Sequence, residues 1–197
     1  NIYSFAVPNK TLSNSLEIRT NYLSTSQKNA ITNLLSEVKS ATTEIVITDP
    51  VYIEMNFGSS LTNSDFTLIS DAGNDSYLYV EVDQNSRRDL NTVQNEVADV
   101  FTTYFNTSNL KLGQLVSLKE IQQLILAIDG VKAFSTRREY KGTTIVDDNL
   151  SFAVYNPIYE TADYDFTQQD INLDFFKFPY FKDLTTVQNR ITVVRQG

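Results

Sequence analysis

Apolar residues recur every three or four positions in three stretches of the chain, and every second position in several others. "STSQKNAITNLLSEVKSA" (24–41) places Ile31, Leu34, Leu35 and Val38 at i, i+3, i+4 and i+7, the stripe of an amphipathic helix. Ser24 and Gln27 ahead of it have the spacing of a capping box. "RRDLNTVQNEVADVFTTYF" (87–105) repeats the spacing with Leu90, Val93, Val97, Val100, Phe101 and Tyr104. In "KLGQLVSLKEIQQLILAIDGVK" (111–132), Ser117 and Glu120 form the capping box of a helix whose expected buried face is Leu118, Ile121, Leu124, Ile125 and Ile128. Gly130 stands where a left-handed stop is wanted, and Leu126, off the stripe, implies cover on more than one side.

Strand patterns lie between and after these helices. "TEIVITD" (43–49) and "VYIEMNF" (51–57) are β-rich and are separated by Pro50. "SYLYVEVD" (76–83) alternates Leu78, Val80 and Val82 with Tyr77, Tyr79 and Glu81, and "VKAFSTRREY" (131–140) leaves the third helix as another strand. The order predicts an α+β fold, a small mixed sheet with helices on one face, followed by a β-rich aromatic C-terminal segment. Two units are expected. Residues 1–142 form the α+β part, with 1–23 an incomplete lead-in, and 143–197 form a β-rich interaction part. In the latter, "KGTTIVDDN" reads as a hairpin or linker, and "LSFAVYNP", "DINLDFFKF" and "NRITVVR" read as strands.

Composition narrows the chemistry. Among 197 residues there is no Cys and no His, so thiol nucleophiles, disulfides and a Ser-His-Asp triad are excluded, as are most zinc sites. The net charge of −8 disfavours nucleic acid and suits neutral or basic partners. Apolar runs are far shorter than the roughly 20 residues a spanning helix needs, so no membrane is expected. The first residue is Asn1 rather than Met, which reads as a piece of something longer.

Asp71, Asn74, Asp75 and Glu81 suggest calcium, but counting Asp71 as position 1 puts Gly73 at 3 and Val82 at 12, so the helix–loop–helix calcium pattern fails. Asp147–Asp148 and Asp163–Asp165 lack the cleft that paired catalytic carboxylates require. The doublets Arg87–Arg88 and Arg137–Arg138 read as salt bridges or a subunit contact. No catalytic residue, metal or cofactor is assigned.

The C-terminal third is the anomaly. Residues 152–181 carry ten of the 23 aromatics. These rings are either the core of a small β unit or a protein contact. The contact is favoured because "DFFKFPYF" puts Phe175 and Phe176 on opposite faces and Pro179 bars a central strand. The expected interface residues are Tyr155, Pro157, Tyr159, Phe175, Phe176, Phe178, Tyr180 and Phe181.

Leu112–Gly113, Ser117 and Gly130–Val131, with "TDPVYIEMNF" (48–57) and "YLYVEVD" upstream, resemble the recurrent pattern of baseplate J-like proteins of contractile phage tails. "LSFAVYNPIYETADYDF" and "FFKFPYFKD" resemble the wedge members of that family in T4-like phages. The resemblance covers residues 26–140 and 150–183. It implies a structural virion subunit without catalytic residues, assembled in the host cytoplasm. Such a subunit dimerises, joins a ring with other baseplate proteins and rearranges when the sheath contracts. An alternative is a carbohydrate-binding or adhesin module of a phage tail, since exposed Tyr and Asp also suit sugars.

Overall fold

The computed structural model describes residues 2–6, 22–38, 43–59, 76–140, 142–155 and 165–196. Its elements in chain order begin with β1 (Ile2–Phe5), α1 (Thr25–Ser36), β2 (Ile45–Thr48), β3 (Val51–Phe57) and β4 (Ser76–Val82). Then come α2 (Leu90–Tyr104), α3 (Leu118–Leu126), β5 (Val131–Tyr140), β6 (Thr143–Asp147), β7 (Phe152–Tyr155), β8 (Asp165–Thr167) and β9 (Lys177–Phe181). A 3₁₀ turn over Leu184–Arg190 leads into β10 (Ile191–Arg195). The fold is α+β, as the patterning predicts.

"VYIEMNF" lacks the polar alternation of a surface strand because β3 is covered on both sides. Every residue from Tyr52 to Ser59 is buried. β3 pairs antiparallel with β7 and parallel with β9, and the sheet order is β8-β7-β3-β9. Ile53, Met55 and Phe57 share a face with β7's Phe152 and β9's Phe181. The rings of Phe57, Phe101 and Phe105 each lie 5.0–5.4 Å from another ring of this group, in edge-on or tilted contacts with Phe181 at the centre. On the opposite face Tyr52 meets Phe178 and Tyr180. Two polar side chains on that face are buried with partners. The Tyr180 hydroxyl donates to Glu54 at 2.5 Å, and Arg190 donates to the Asn56 side chain at 2.5 Å and to the Ser76 carbonyl through Nε at 3.0 Å.

Pro179 sits as its chemistry demands. The Phe176 carbonyl and the Lys182 amide both bond to β3, so even-numbered residues of β9 face that strand and Pro179 faces away from it. β9 is an edge strand of its sheet.

The second four-stranded sheet has the order β10-β4-β5-β6, with β10 parallel to β4 and the other pairs antiparallel. β4 keeps the predicted alternation: Leu78, Val80 and Val82 are buried while Tyr77, Tyr79 and Glu81 are half-buried. α2 packs on β10 and the 3₁₀ turn through Val93, Val97, Ala98 and Phe101, and α3 packs on α2 and β5. On the outer face Arg137 stacks on Tyr79 at 3.3 Å from the ring centroid and lies 3.9 Å from Glu81.

The division expected at residue 143 does not separate the two sheets. "KGTTIVDDN" is the hairpin that brings β6 back along β5, and β10 returns to β4, while β7 and β9 flank β3. Strands from both sides of that point build each sheet, because the long aromatic segment finds its cover on β3.

Cutting the ring cluster should therefore be expensive and trimming its exposed neighbour cheap. Phe181→Ala is expected to cost about 3–5 kcal/mol in urea unfolding, a large-to-small change in a filled core. Phe175→Ala is expected to stay within about 0.5 kcal/mol, as surface changes do.

Candidate functional site

The residues assigned to a contact surface divide into three groups. Phe178, Tyr180 and Phe181 are buried within the chain, which corrects the expectation that they form an interface: β3 and α2 supply the second layer that the tail alone lacks. Tyr155 and Phe176 are half-buried, Tyr155 opposite Glu54 in the β3–β7 ladder. Phe175 is 72% exposed. Pro157 and Tyr159 lie outside the described residues.

What remains at the surface gathers around the N-terminal unit. β1 and β2 form a two-stranded parallel sheet with α1 between them in sequence and packed on β2. Parallel sheets normally need both faces covered, and a two-stranded sheet alone is marginal. Here α1 buries none of its residues. Ser24 and Gln27 make both bonds of the predicted capping box, so the helix starts as expected. The stripe expected to be its buried face is split: Ile31 and Leu35 are half-buried, while Leu34 is 67% and Val38 81% exposed. Tyr3 on β1 is 62% exposed. Phe5 joins this unit to the tail, with ring centroids 5.7 Å from Phe175 and 6.2 Å from Phe176.

Gly113 fixes the turn that presents Phe175. Its φ of +65° is a left-handed conformation, and a Cβ there would stand 2.7 Å from the Phe175 Cα. Its amide donates to the Lys177 carbonyl at 2.9 Å. The Leu-Gly step noticed in the sequence is thus a point where two stretches of backbone touch.

The start of α3 is tied to both neighbours. Ser117 Oγ accepts from the Glu120 amide at 3.2 Å, one half of a capping box. The Ser117 amide, however, donates to the Tyr104 hydroxyl at 2.8 Å. The Asp170 carboxylate accepts from Ser117 Oγ at 3.1 Å and from the Lys119 amide at 3.2 Å, where a helix N-terminus favours negative charge. Burial pushes the Tyr104 phenol up, aided by Glu120 and Asp170, and the Ser117 bond opposes the rise. α3 itself is covered on one side only: Leu118, Ile121 and Ile125 are buried, while Leu124 and Leu126 are exposed, contrary to expectation.

The other candidates resolve into structure. Arg88 pairs with Glu96 and donates to the Asp129 carbonyl at 3.1 Å, and Arg138 is buried. Asp147 is buried and Asp148 exposed, so the two carboxyls do not share a cleft. Asp163, Asp71, Asn74 and Asp75 lie outside the described residues. Among the described residues no cluster of three carboxylates is placed to hold a metal, and no helix is long and apolar enough to cross a membrane.

No protein-family model matches the sequence, and no curated protein matches it. The exposed stripe of α1 is the feature that sequence reasoning missed. Its periodicity signalled burial, but Leu34 and Val38 are exposed.

The sign of the Tyr104 shift sets a pH dependence. A phenol whose folded pKa is raised contributes stability that is present below the ordinary value near about 10 and is lost as pH rises through the folded pKa. Tyr104→Phe should cost about 1 kcal/mol at pH 7 by leaving the Ser117 amide unpaired. It should also lose less stability than the parent between pH 9 and 11, read by urea unfolding at each pH.

Proposed function

We propose that the chain is a structural subunit of a phage tail baseplate, acting through contacts with copies of itself and with other baseplate proteins in the virion. The observation that supports this reading best is the uncovered apolar face of the N-terminal unit. Tyr3 on β1 and Leu34 and Val38 on the helical segment are each exposed, and Phe175 stands exposed beside Phe5. Sheets and helices of this size bury an apolar face when folded, so this one calls for a neighbouring protein. The fold adds weight in a second way. Several of its charged side chains hold elements together: Arg190 bridges β3 and β4, Arg88 ties α2 to the turn after α3, and Asp170 holds the start of α3. The words that resemble baseplate J-like wedge proteins also fall on elements with clear structural duties, Gly113 at the tail turn and Gly130, with φ +87°, at the entry to β5.

The reading needs no catalytic group and no cofactor. It asks only that the open face be matched by a partner surface, with an interface above about 1,000 Å² in total.

Leu34→Ser with Val38→Ser tests it. The double variant is expected to keep the parent's circular dichroism and urea midpoint. In sedimentation velocity at high concentration, and on mixing with purified baseplate wedge proteins, it should shift from assembled species toward monomer. A parent chain that stays monomeric at every concentration and forms no complex with wedge proteins would falsify the proposal.

A further inference from the structure

A groove of about 540 Å³ runs between α2 and α3, on a different part of the surface from Leu34, Val38 and Phe175. One wall is a single stripe of α2, in which Glu96, Asp99, Val100, Thr103 and Tyr104 follow at i, i+3, i+4, i+7 and i+8. That stripe is roughly 12 Å long at 1.5 Å per residue, enough to face about two turns of a helical segment. The opposite wall is α3, with Glu120 and Leu124 one turn apart. The floor is apolar, made by Val100, Leu110, Leu124 and the Tyr104 ring, and Leu124 is 44% exposed within it. The rim is acidic. Asp99 and Glu120 border the groove together with Glu96, which Arg88 already pairs, and its lining residues include no Lys or Arg.

We propose that this groove docks a segment of another protein that carries Lys or Arg side chains alternating with aliphatic ones along a helical face. The aliphatic groups would cover Leu124 and Val100, and the cations would meet Asp99 and Glu120. An apolar floor inside a ring of one charge selects for this combination: an uncharged greasy segment leaves the carboxylates unmatched, and an acidic one is repelled. The negative field reaches the floor, since Glu120 and Asp170 both add to the upward shift of the Tyr104 phenol.

A second copy of this chain is a poor source of the cation. Among the described residues most arginines are committed internally, whereas Arg87, Lys111 and Lys119 are exposed. Arg88 holds Glu96, Arg137 stacks on Tyr79, Arg190 holds Asn56 and Ser76, and Arg195 donates to the Ser86 and Arg88 carbonyls. Lys28, Lys132, Lys177 and Lys182 each have a carboxylate within 4.0 Å. Two copies, each at −8, also repel. The repulsion between two chains of like net charge favours a different, basic protein as the occupant. The inference deepens the assembly reading by giving one partner's chemistry, and rests on that reading only for where the partner is found.

The test uses the full 197-residue chain and a synthetic amphipathic peptide with Leu and Lys at i, i+4 spacing, followed by amide NMR shifts and fluorescence anisotropy. Saturable binding in the micromolar range is expected, with shifts confined to residues 96–124. The same peptide with every Lys replaced by Glu should not bind. Asp99→Asn with Glu120→Gln should weaken binding by at least about fivefold, two exposed ion pairs being worth a few-fold each. Leu124→Gln should weaken it comparably, and Asp148→Asn with Asp165→Asn, two exposed acids elsewhere, should leave it unchanged. Shifts spread over the whole surface, equal weakening by the Asp148/Asp165 pair, or no binding at all would overturn the proposal. Leu34→Ser with Val38→Ser leaves the groove intact, so failure of the assembly reading and failure of this one give different results.

Discussion

The structure depends on five phenylalanines meeting at one place. Phe57 comes from β3, Phe101 from α2, Phe105 from the residue after it, Phe152 from β7 and Phe181 from β9. Each element has a short apolar face that could not stay out of water alone, and the rings give all of them one shared destination. Their edge-on contacts fix direction as well as burial, which an aliphatic cluster of equal area would do less well. Because Phe181 arrives from near the end of the sequence, the cluster also decides where the tail goes: it is laid along β3 rather than displayed.

This placement leaves polar groups inside, and the fold answers them individually. β3 is buried on both faces, yet it carries Glu54 and Asn56. Tyr180 and Arg190, both delivered by the same returning segment, meet them. An unmet carboxylate or amide at those positions would cost more than a typical hydrogen bond gains, so the returning segment is held by satisfied polar contacts as much as by its rings. Surface left over after these demands is found in two places of opposite character, an apolar face on the N-terminal unit and an acid-rimmed groove on the helical side.

Much of the architecture was legible in the sequence. Ser24 and Ser117 marked helix starts that the structure keeps, Gly130 is left-handed but in the turn before β5 after the helix has ended at Leu126, and the alternation of 76–83 read correctly as a half-buried strand. Pro179 announced an edge strand. Legibility failed where burial depends on distant chain. Periodicity says which residues share a face but is silent on whether another element covers it, so Leu34 and Val38 looked like core and are open, while Phe178 and Phe181 looked like surface and are core. Ser117 and Glu120 predicted a reciprocal cap, and one of its bonds went to Tyr104 from the neighbouring helix. The division at residue 143 failed for the same reason, since composition changes there while strand pairing crosses it.

That crossing has a consequence for how the protein is made. The strands that complete both sheets, β9 and β10, lie within residues 177–195. While a ribosome still encloses that stretch, β3 lacks a flanking strand, β4 lacks its parallel neighbour and the helical Phe101 has no ring from β9 to meet. The nascent chain must keep its greasiest surfaces waiting until residues 177–195 have emerged, and pairings so far apart in sequence close slowly. Newly made chains would then spend their most vulnerable interval in the company of chaperones.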